Sequence, residues 1–164
     1  MSQIYSILNT NYVSRETCID FERFILLVLE KNKEINIIGK ETEKNIRKRH
    51  IIDSAQAFEF IDLKVKKCAD LGTGAGMPGI VLAIMSKHLN CGIEFNLYEK
   101  SYHKSEFLKE VSKKLDLSVN IIQEDVFKNK FSEKGTIVAR AFKPLPVVLD
   151  LINKNFKNYK NIIL

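Results

Sequence analysis

The sequence predicts an α/β fold with a mostly parallel sheet, helices on both faces of the sheet and a helical cap at the N-terminal end. From residue 67 onward, short β-rich runs alternate with segments of helical composition. Such alternation is typical of β-α-β units, whose right-handed crossovers build a parallel sheet. With 164 residues and no Pro/Gly/Ser-rich linker, we expect a single domain over 1–164, with the cap over 1–62 and the α/β unit over 63–164.

The predicted cap has one clear start signal. Ser14 is a predicted helix N-cap, and apolar residues such as Phe24 and Val28 recur after it at a helical period. Residues 14–60 are predicted to be helical, with a second helix that follows Thr42.

The α/β unit contains five predicted strands and three predicted helices. The strand runs are KKCADLG, GIEFNLYE, LSVNIIQED, GTIVARAF and YKNIIL. The helical segments between them are IVLAIMSKHL, HKSEFLKEVSKKL and PVVLDLINKNF. Ligands of such sheets bind at the carboxyl ends of the strands.

Composition limits the partners that the chain could have. A formal net charge of +6 favours a polyanionic partner. Three cysteines without a CxxC spacing, Cys18, Cys68 and Cys91, indicate neither a disulfide framework nor a zinc site. We therefore expect no metal and a reducing, cytoplasmic location. The sequence shows no secretory signal pattern and no apolar run of about 20 residues, so no membrane contact is expected.

The glycine-rich stretch CADLGTGAGMPGIVLAI (68–84) can be aligned in two registers that predict different ligands. Counted from Gly74, it matches the dinucleotide fingerprint, with Glu99 near the required spacing of about 20 residues. Counted from Asp70, it is an acid followed by a G-x-G-x-G run, which suits a nucleoside without a pyrophosphate. In that register Gly72 and Gly74 let the backbone approach the ligand, and Glu99 can accept hydrogen bonds from both ribose hydroxyls.

The length of the chain after this stretch favours the second register. Dinucleotide-binding enzymes need a second mononucleotide-binding half, and roughly 90 residues leave little room for one. The dinucleotide register is less favoured but not excluded, so an NAD-binding oxidoreductase stays open as an alternative. A phosphate-binding P-loop is excluded because no Gly-Lys-Ser/Thr ending follows the glycines.

Five segments together carry a resemblance to a known family. In order they are NKEINIIGK, RHIIDSAQ, DLGTGAGMPGIVLAI, LYEKSYHKSEFL and VARAF. The chain resembles class I S-adenosylmethionine-dependent methyltransferases, and within them the bacterial 16S ribosomal RNA guanine-N7 methyltransferases of the glucose-inhibited division protein B type. The resemblance extends from Phe21 to Leu164. It implies a Rossmann-like fold, S-adenosyl-L-methionine as cofactor, and 16S ribosomal RNA or the small ribosomal subunit as partner. The sequence leaves the oligomeric state open, and we expect a monomer.

The resemblance also implies a cofactor site. Glu99 would hold the ribose, while Asp125 and Val126 would flank the adenine. Arg140 would lie near the cofactor and the RNA entrance. The full set of predicted cofactor residues is Asp70, Gly72, Gly74, Met77, Glu99, Asp125, Val126 and Arg140.

A second set of residues is predicted to face the RNA. His50 and Asp53 share a helix face at i and i+3, and could cover the cofactor or touch the target base; a structural role for His50 is equally open. The basic candidates for RNA contact are Arg47, Lys48, Arg49 and the lysines of the 100–114 helix, which include Lys104, and each could instead be a solvated surface charge. The resemblance adds Arg140 to the residues that would face the RNA. His103 is a weaker candidate because it is not reliably charged at neutral pH.

No catalytic base is predicted, because guanine N7 carries a lone pair and no proton, so methyl transfer needs alignment and proximity. Phe107, Phe127 and Phe131 are predicted to be core residues, and Phe142 is left open because it follows Arg140 at a strand end.

The resemblance also implies that the C-terminal strands of the fold are missing. Relatives continue past a strand like NIIL, at which this chain stops. The chain could be a fragment or a naturally short version of the family's fold. In either case the NIIL strand would lie near an edge of the sheet. A third function stays open for this reason, namely an inactive, truncated relative that binds RNA.

Overall fold

The computed structural model describes residues 5, 8, 11–128, 130–132 and 135–164. Its helices are α1 (Arg15–Asn32), α2 (Lys40–Glu43), a π-helical segment (Arg47–Ile52), α3 (Asp53–Gln56), a 3-10 turn (Ala57–Phe60), α4 (Gly79–His88), α5 (Tyr102–Lys114) and α6 (Leu145–Asn155). Its strands are β1 (Lys67–Leu71), β2 (Glu94–Tyr98), β3 (Val119–Ile122), β4 (Phe131–Ser132), β5 (Thr136–Val138), β6 (Phe156–Lys157) and β7 (Asn161–Ile163).

Five strands form one parallel sheet in the order β3-β2-β1-β5-β7. Each of the five predicted strand runs contains one of these strands, so the predicted parallel sheet is confirmed. The chain moves outward from β1 through β2 to β3, and then crosses to the other side of β1 to make β5. A crevice therefore opens between the ends of β1 and β5, which is where such sheets bind ligands.

The short parallel pair of β4 and β6 was not predicted. Each strand is only two residues long, too short for an alternating pattern to be visible in the sequence. β7 lies at an edge of the sheet, as predicted for the NIIL run, and its residues are half-buried.

Helix α1 begins where the sequence predicts it. The amide of Thr17 donates to the Ser14 hydroxyl at 3.1 Å, and the amide of Ser14 donates to the Thr17 hydroxyl at 3.2 Å. This reciprocal capping box satisfies two amides that helix geometry leaves without partners. The helix then buries Phe21, Phe24 and Val28 against the rest of the molecule.

Helix α4 packs between the N-terminal helices and the sheet. Every residue from Gly79 to Ser86 is buried, because the helix contacts neighbours on all sides. The apolar cluster around it contains Phe21 and Phe58 of the N-terminal part and Leu97 of β2. This continuous core supports the single-domain organisation, which stays a prediction.

The second helix that was predicted after Thr42 is present but irregular, because the elements from Arg47 to Phe60 follow one another without a gap and differ in helix type. Where one regular helix was expected, the chain makes α2, the π-helical segment, α3 and the 3-10 turn. One physical reason is visible at Arg49, whose carbonyl accepts a hydrogen bond from the Arg140 side chain at 2.9 Å. Within the described ranges, no helix is both long enough and apolar enough to cross a lipid bilayer.

Candidate functional site

A cavity of about 530 Å³ lies at the carboxyl ends of the strands, beneath the N-terminal helical part. This volume is typical of a site for a small molecule. Its walls come from the loops after β1, β2, β3 and β5 and from the segment before α2. The lining residues are 37–39, His50, 72–75, Met77, 98–100, Lys104, 124–127 and 140–143.

The glycines after β1 expose bare backbone to this cavity. Gly72 and Gly74 have φ angles of +68° and +61°, which side chains rarely adopt. At Gly74 an added Cβ would meet nothing closer than 3.9 Å, so its Cα faces open space. At Gly72 the same atom would lie 2.1 Å from the ring of Phe142, which therefore packs directly on the glycine. Gly74 is thus the open part of the loop, and Gly72 is the covered part.

Asp70 lies beneath the loop and does not line the cavity. Its Oδ2 accepts a hydrogen bond from the Gly79 amide at 2.8 Å, which ties the start of α4 to the end of β1. Burial raises the pKa of this carboxyl to about 6, although the Gly79 amide opposes the shift. Asp70 is therefore placed to hold the shape of the glycine loop, and a direct contact with a cofactor stays a prediction.

Glu99 is fixed at the cavity wall by two backbone amides. Its Oε2 accepts from Gly74 at 3.0 Å and its Oε1 from Ser101 at 2.8 Å. The side chain follows β2 and is only 7% exposed. Both contacts hold the carboxylate beside the open glycine, where it can also accept hydrogen bonds from a ligand.

Arg140 joins the sheet to the π-helical segment. One guanidinium nitrogen, Nη1, donates to the Arg49 carbonyl at 2.9 Å and to Asp53 Oδ2 at 2.8 Å. The other, Nη2, contacts His50 Nδ1 at 3.0 Å. Sequence reasoning treated these residues as separate contacts to RNA or cofactor, whereas the structure connects them in one hydrogen-bonded group at the cavity.

The partners of His50 determine which of its nitrogens carries the proton. Arg140 can only donate, so Nδ1 must accept, and the proton is on Nε2. Nε2 then donates to the Thr42 hydroxyl at 2.8 Å, and that hydroxyl donates to the Gly39 carbonyl at 2.9 Å. Burial and the neighbouring Arg140 charge lower the pKa of His50, so the ring is neutral at pH 7. The result is a chain of hydrogen bonds from β5 to the segment that borders the cavity.

One phenylalanine at the cavity differs from expectation. Phe127 was predicted to be a core residue, but it is 43% exposed, so that prediction is wrong. It lines the cavity together with Phe142, and the two ring centroids are 5.9 Å apart. Phe107 is buried as predicted. The side chain of Phe131 lies outside the described part of the structure.

Comparison with known proteins identifies the family. The family profile described as GidB, rRNA small subunit methyltransferase G, matches residues 17–164. The chain belongs to this family.

Individual relatives agree with this assignment. The chain is 52% identical over 161 residues to the ribosomal RNA small subunit methyltransferase G of Pelagibacter ubique, covering 97% of this chain and 76% of that protein. It is 36% identical over 141 residues to the protein of the same name from Cereibacter sphaeroides strain ATCC 17023, covering 86% of this chain and 68% of the relative. The match favours the methyltransferase register of the glycine loop over the dinucleotide register.

A solved structure supports the fold. The O-methyltransferase of a trans-AT PKS multienzyme from Brevibacillus brevis, in complex with S-adenosyl-L-homocysteine, superimposes with a TM-score of 0.52 at 18% identity. The superposition covers 81% of this chain and 44% of that one. At this identity the similarity concerns the fold alone, and with the parallel sheet it confirms the predicted Rossmann-like methyltransferase fold.

Within this methyltransferase G family member, the predicted cofactor residues lie together with one exception. Glu99, Asp125 and Arg140 line the cavity, as do Gly72, Gly74, Met77 and Val126. Asp70 is the exception because it lies under the loop. Asp125 also accepts from the Phe127 amide at 3.0 Å, which shapes the turn after β3.

The basic residues predicted to face RNA occupy different environments. Lys104 lines the cavity. Arg47 instead makes two hydrogen bonds to Glu22 of α1, from Nε at 2.8 Å and from Nη2 at 2.5 Å. Lys48 and Arg49 are exposed. Contact of any of these residues with RNA stays a prediction. Arg47 would have to bind a phosphate while paired with Glu22, or leave Glu22 to do so.

The cavity also contains residues that were assigned no role from sequence. Ile37, Ile38 and Gly39 border it, in the segment NIIGK. Asn32 holds this segment in place, because its side-chain oxygen accepts from the amides of Ile37 and Ile38 at 2.9 and 3.0 Å. The segment was part of the family resemblance, but nothing local in it indicated a position beside the glycine loop. Lys143 was missed in the same way, whereas Lys100 was among the helix lysines predicted to contact phosphates.

Proposed function

We propose that this protein is an S-adenosylmethionine-dependent methyltransferase that methylates N7 of a guanine in 16S ribosomal RNA. Membership of the methyltransferase G family supports this proposal. The observation that carries it is the cavity at the strand ends, in which the bare backbone of Gly74 lies against the buried carboxylate of Glu99.

The residues of the cavity fit this cofactor. A Cβ at Gly74 would project into space that no protein atom fills, which leaves room for close approach of a ligand to the backbone. Glu99 would accept hydrogen bonds from the ribose hydroxyls, while Asp125 and Val126 would border the adenine. Gly72, Gly74 and Met77 would line the methionine and adenosine side.

The chemistry requires alignment and charge stabilisation. Bound S-adenosylmethionine supplies a sulfonium methyl group, which the N7 lone pair takes up as the carbon–sulfur electrons return to sulfur. The product guanine carries a positive charge and no proton has to be removed, so the site needs no general base. Among the carboxylates at the cavity, Glu124 has no role toward the cofactor and can stabilise that charge. The remaining task of the protein is to hold the reacting atoms in line.

The RNA partner is proposed from the relatives and from charge. A guanine inside an A-form helix cannot be reached from its major groove, so the target must be unstacked or in a loop. Lys100, Lys104 and Lys143 at the cavity, with the exposed Lys48 and Arg49, would contact phosphates. We propose that the protein acts as a monomer in the cytoplasm on 16S ribosomal RNA or the small ribosomal subunit, without membrane contact.

Calorimetric titration with S-adenosylmethionine and, separately, with NAD tests the cofactor assignment. Micromolar binding of S-adenosylmethionine alone, lost in Gly74→Arg, is expected. Binding of NAD alone would contradict the proposal. Binding of neither ligand by a chain with a native circular dichroism spectrum would favour the inactive RNA-binding relative instead.

A further inference from the structure

Phe127 and Phe142 form an aromatic pair at the cavity, and neither ring has been given a role in cofactor binding. Phe127 follows β3 and Phe142 follows β5, so two separate loops bring the rings together. Their centroids are 5.9 Å apart and their planes are inclined by 32°. This separation is within the range of favourable aromatic contacts. Because Phe127 is 43% exposed, the pair presents an aromatic face to solvent at the cavity.

One ring of the pair is held firmly against the glycine loop. The ring of Phe142 packs directly on Gly72, where even a Cβ would clash with it. Phe142 therefore lies between the glycine loop and the outer ring of Phe127. A planar group in contact with these rings would lie in the same cavity as the loop that is proposed to hold the cofactor.

The charges around the pair match a nucleic acid. Lys143 follows Phe142 in the chain and lines the cavity with Lys104, beside the carboxylates of Glu124 and Asp125. Cations around an exposed aromatic face are typical of sites that bind single-stranded nucleic acid, since the cations contact phosphates while the rings stack on bases.

We propose that Phe127 and Phe142 form a stacking platform for the target guanine. This inference rests on the proposed function and specifies how its base is positioned. Unstacked RNA bases are commonly held on aromatic side chains. The ring faces are also suited to the product, because methylation at N7 leaves a positive charge on the base and aromatic faces attract cations.

The test uses Phe127→Ala, with Phe60→Ala as the matched control. Phe60 is also an exposed phenylalanine, at 65%, but it does not line this cavity. For Phe127→Ala we expect kcat/KM on small ribosomal subunits to fall about 10-fold or more, as is typical for the loss of one base–aromatic stack. The Kd for S-adenosylmethionine should change less than about twofold. Phe127→Tyr should restore activity, and Phe60→Ala should behave as wild type.

A second variant distinguishes the loss of an aromatic face from a folding defect. Phe142→Leu keeps apolar bulk against Gly72 but removes the aromatic face, so it should fold and lose activity to a similar extent. Equal losses in cofactor affinity and methyl transfer would overturn the inference, because the rings would then contact the cofactor. Unchanged activity of Phe127→Ala would overturn it as well.

Failure of the proposed function would be distinguishable from failure of this inference. If the wild-type protein bound S-adenosylmethionine but transferred no methyl group, methylation of 16S ribosomal RNA would be excluded. The variants would then be compared by their affinity for small ribosomal subunits. Weaker binding by Phe127→Ala than by Phe60→Ala would still support the platform, and equal binding would refute it.

Discussion

Gly74 and Gly92 have nearly the same backbone conformation but different surroundings in the fold. Their φ angles are +61° and +63°, and an added Cβ would clash with nothing at either position. Only Gly74 lines the cavity. Alanine at either position should cost about 1–2 kcal/mol of stability through the left-handed backbone. Gly74→Ala should also weaken S-adenosylmethionine binding about 10-fold or more, because its methyl group would occupy ligand space.

Calorimetry and urea denaturation of both variants measure these two effects separately. Equal cofactor affinity in Gly74→Ala and Gly92→Ala would show that the bare backbone at Gly74 has no part in binding.

The raised pKa of Asp70 predicts that the contribution of this residue to the stability of the protein falls as the pH rises above about 4. Its folded pKa, about 6, is above the ordinary value of 3.8. The carboxyl therefore favours folding while it is protonated, and this contribution is lost as the pH rises from about 4 through 6. The side-chain amide introduced by Asp70→Asn cannot ionise, so the variant should gain about 2–3 kcal/mol of unfolding free energy relative to wild type between pH 4 and 7.

Urea unfolding of both proteins across this pH range gives the difference directly. Other carboxylates titrate in both proteins and cancel in the comparison. A difference that stays constant from pH 4 to 7 would mean that Asp70 is not held in a desolvated site.

At the scale of elements, the Arg140 fork connects β5 to the π-helical segment. A lysine keeps the charge but cannot donate to Arg49, His50 and Asp53 at once. Arg140→Lys should therefore lower the unfolding free energy by about 1–3 kcal/mol. It should also reduce the protection of the amides of residues 47–53 from hydrogen exchange. The rate of methyl transfer should fall about 10-fold.

Arg23→Lys is the matched control, since the exposed Arg23 side chain makes an i,i+3 pair with Asp20 within α1. Hydrogen exchange followed by mass spectrometry gives the protection of the segment. If the amides of residues 47–53 were equally protected from exchange in Arg140→Lys and in Arg23→Lys, the hydrogen-bonded group would not hold the segment in place.

Elements differ in how far the sequence reveals them. The five strands of the sheet and helices α4 to α6 follow from apolar runs separated by turn residues, and the start of α1 follows from Ser14. The π-helical segment was missed because its shape depends on partners such as Arg140, which lies 91 residues from Arg49. The exposure of Phe127 was missed because a lone phenylalanine after a strand has the local pattern of a core residue.

The same limit applies to the site. Gly72, Gly74 and Glu99 could be predicted because glycine spacing and the following acid are local signals. The proton position on His50 and the contact of Phe142 with Gly72 could not, since both depend on side chains from distant parts of the chain. Nor did the sequence indicate that Asp70 lies below the loop, because burial of an acid at a strand end depends on how α4 packs.

At the scale of the whole molecule, Asp20 joins the N-terminal helices to the α/β unit. Its carboxylate is nearly buried and contacts His88 at 2.8 Å and Lys87 at 3.4 Å, both on α4. Burial would raise the pKa of Asp20, but the hydrogen bond from His88 and the charge of Lys87 lower it overall. Asp20→Ala should destabilise the protein by about 2 kcal/mol or more, because it removes the carboxylate partner of His88 and leaves Lys87 with only the Leu115 carbonyl.

Asp150→Ala provides the comparison, because Asp150 makes an exposed pair with Lys154 on α6 and should cost less than about 1 kcal/mol. Thermal unfolding of both variants measures the difference. Below its melting temperature, Asp20→Ala should still bind S-adenosylmethionine normally, because Asp20 does not line the cavity. Equal stability of the two variants would contradict a structural role for this contact between α1 and α4.

The central claim is methyl transfer to guanine N7 in 16S ribosomal RNA. The most direct measurement incubates the protein with S-adenosylmethionine and small ribosomal subunits that lack 7-methylguanosine, and then analyses the nucleosides of the RNA by mass spectrometry. We predict one new 7-methylguanosine per 16S molecule, absent when Gly74→Arg replaces the wild-type protein. A methylated nucleoside of another kind, or none from a protein that binds the cofactor, would contradict the claim.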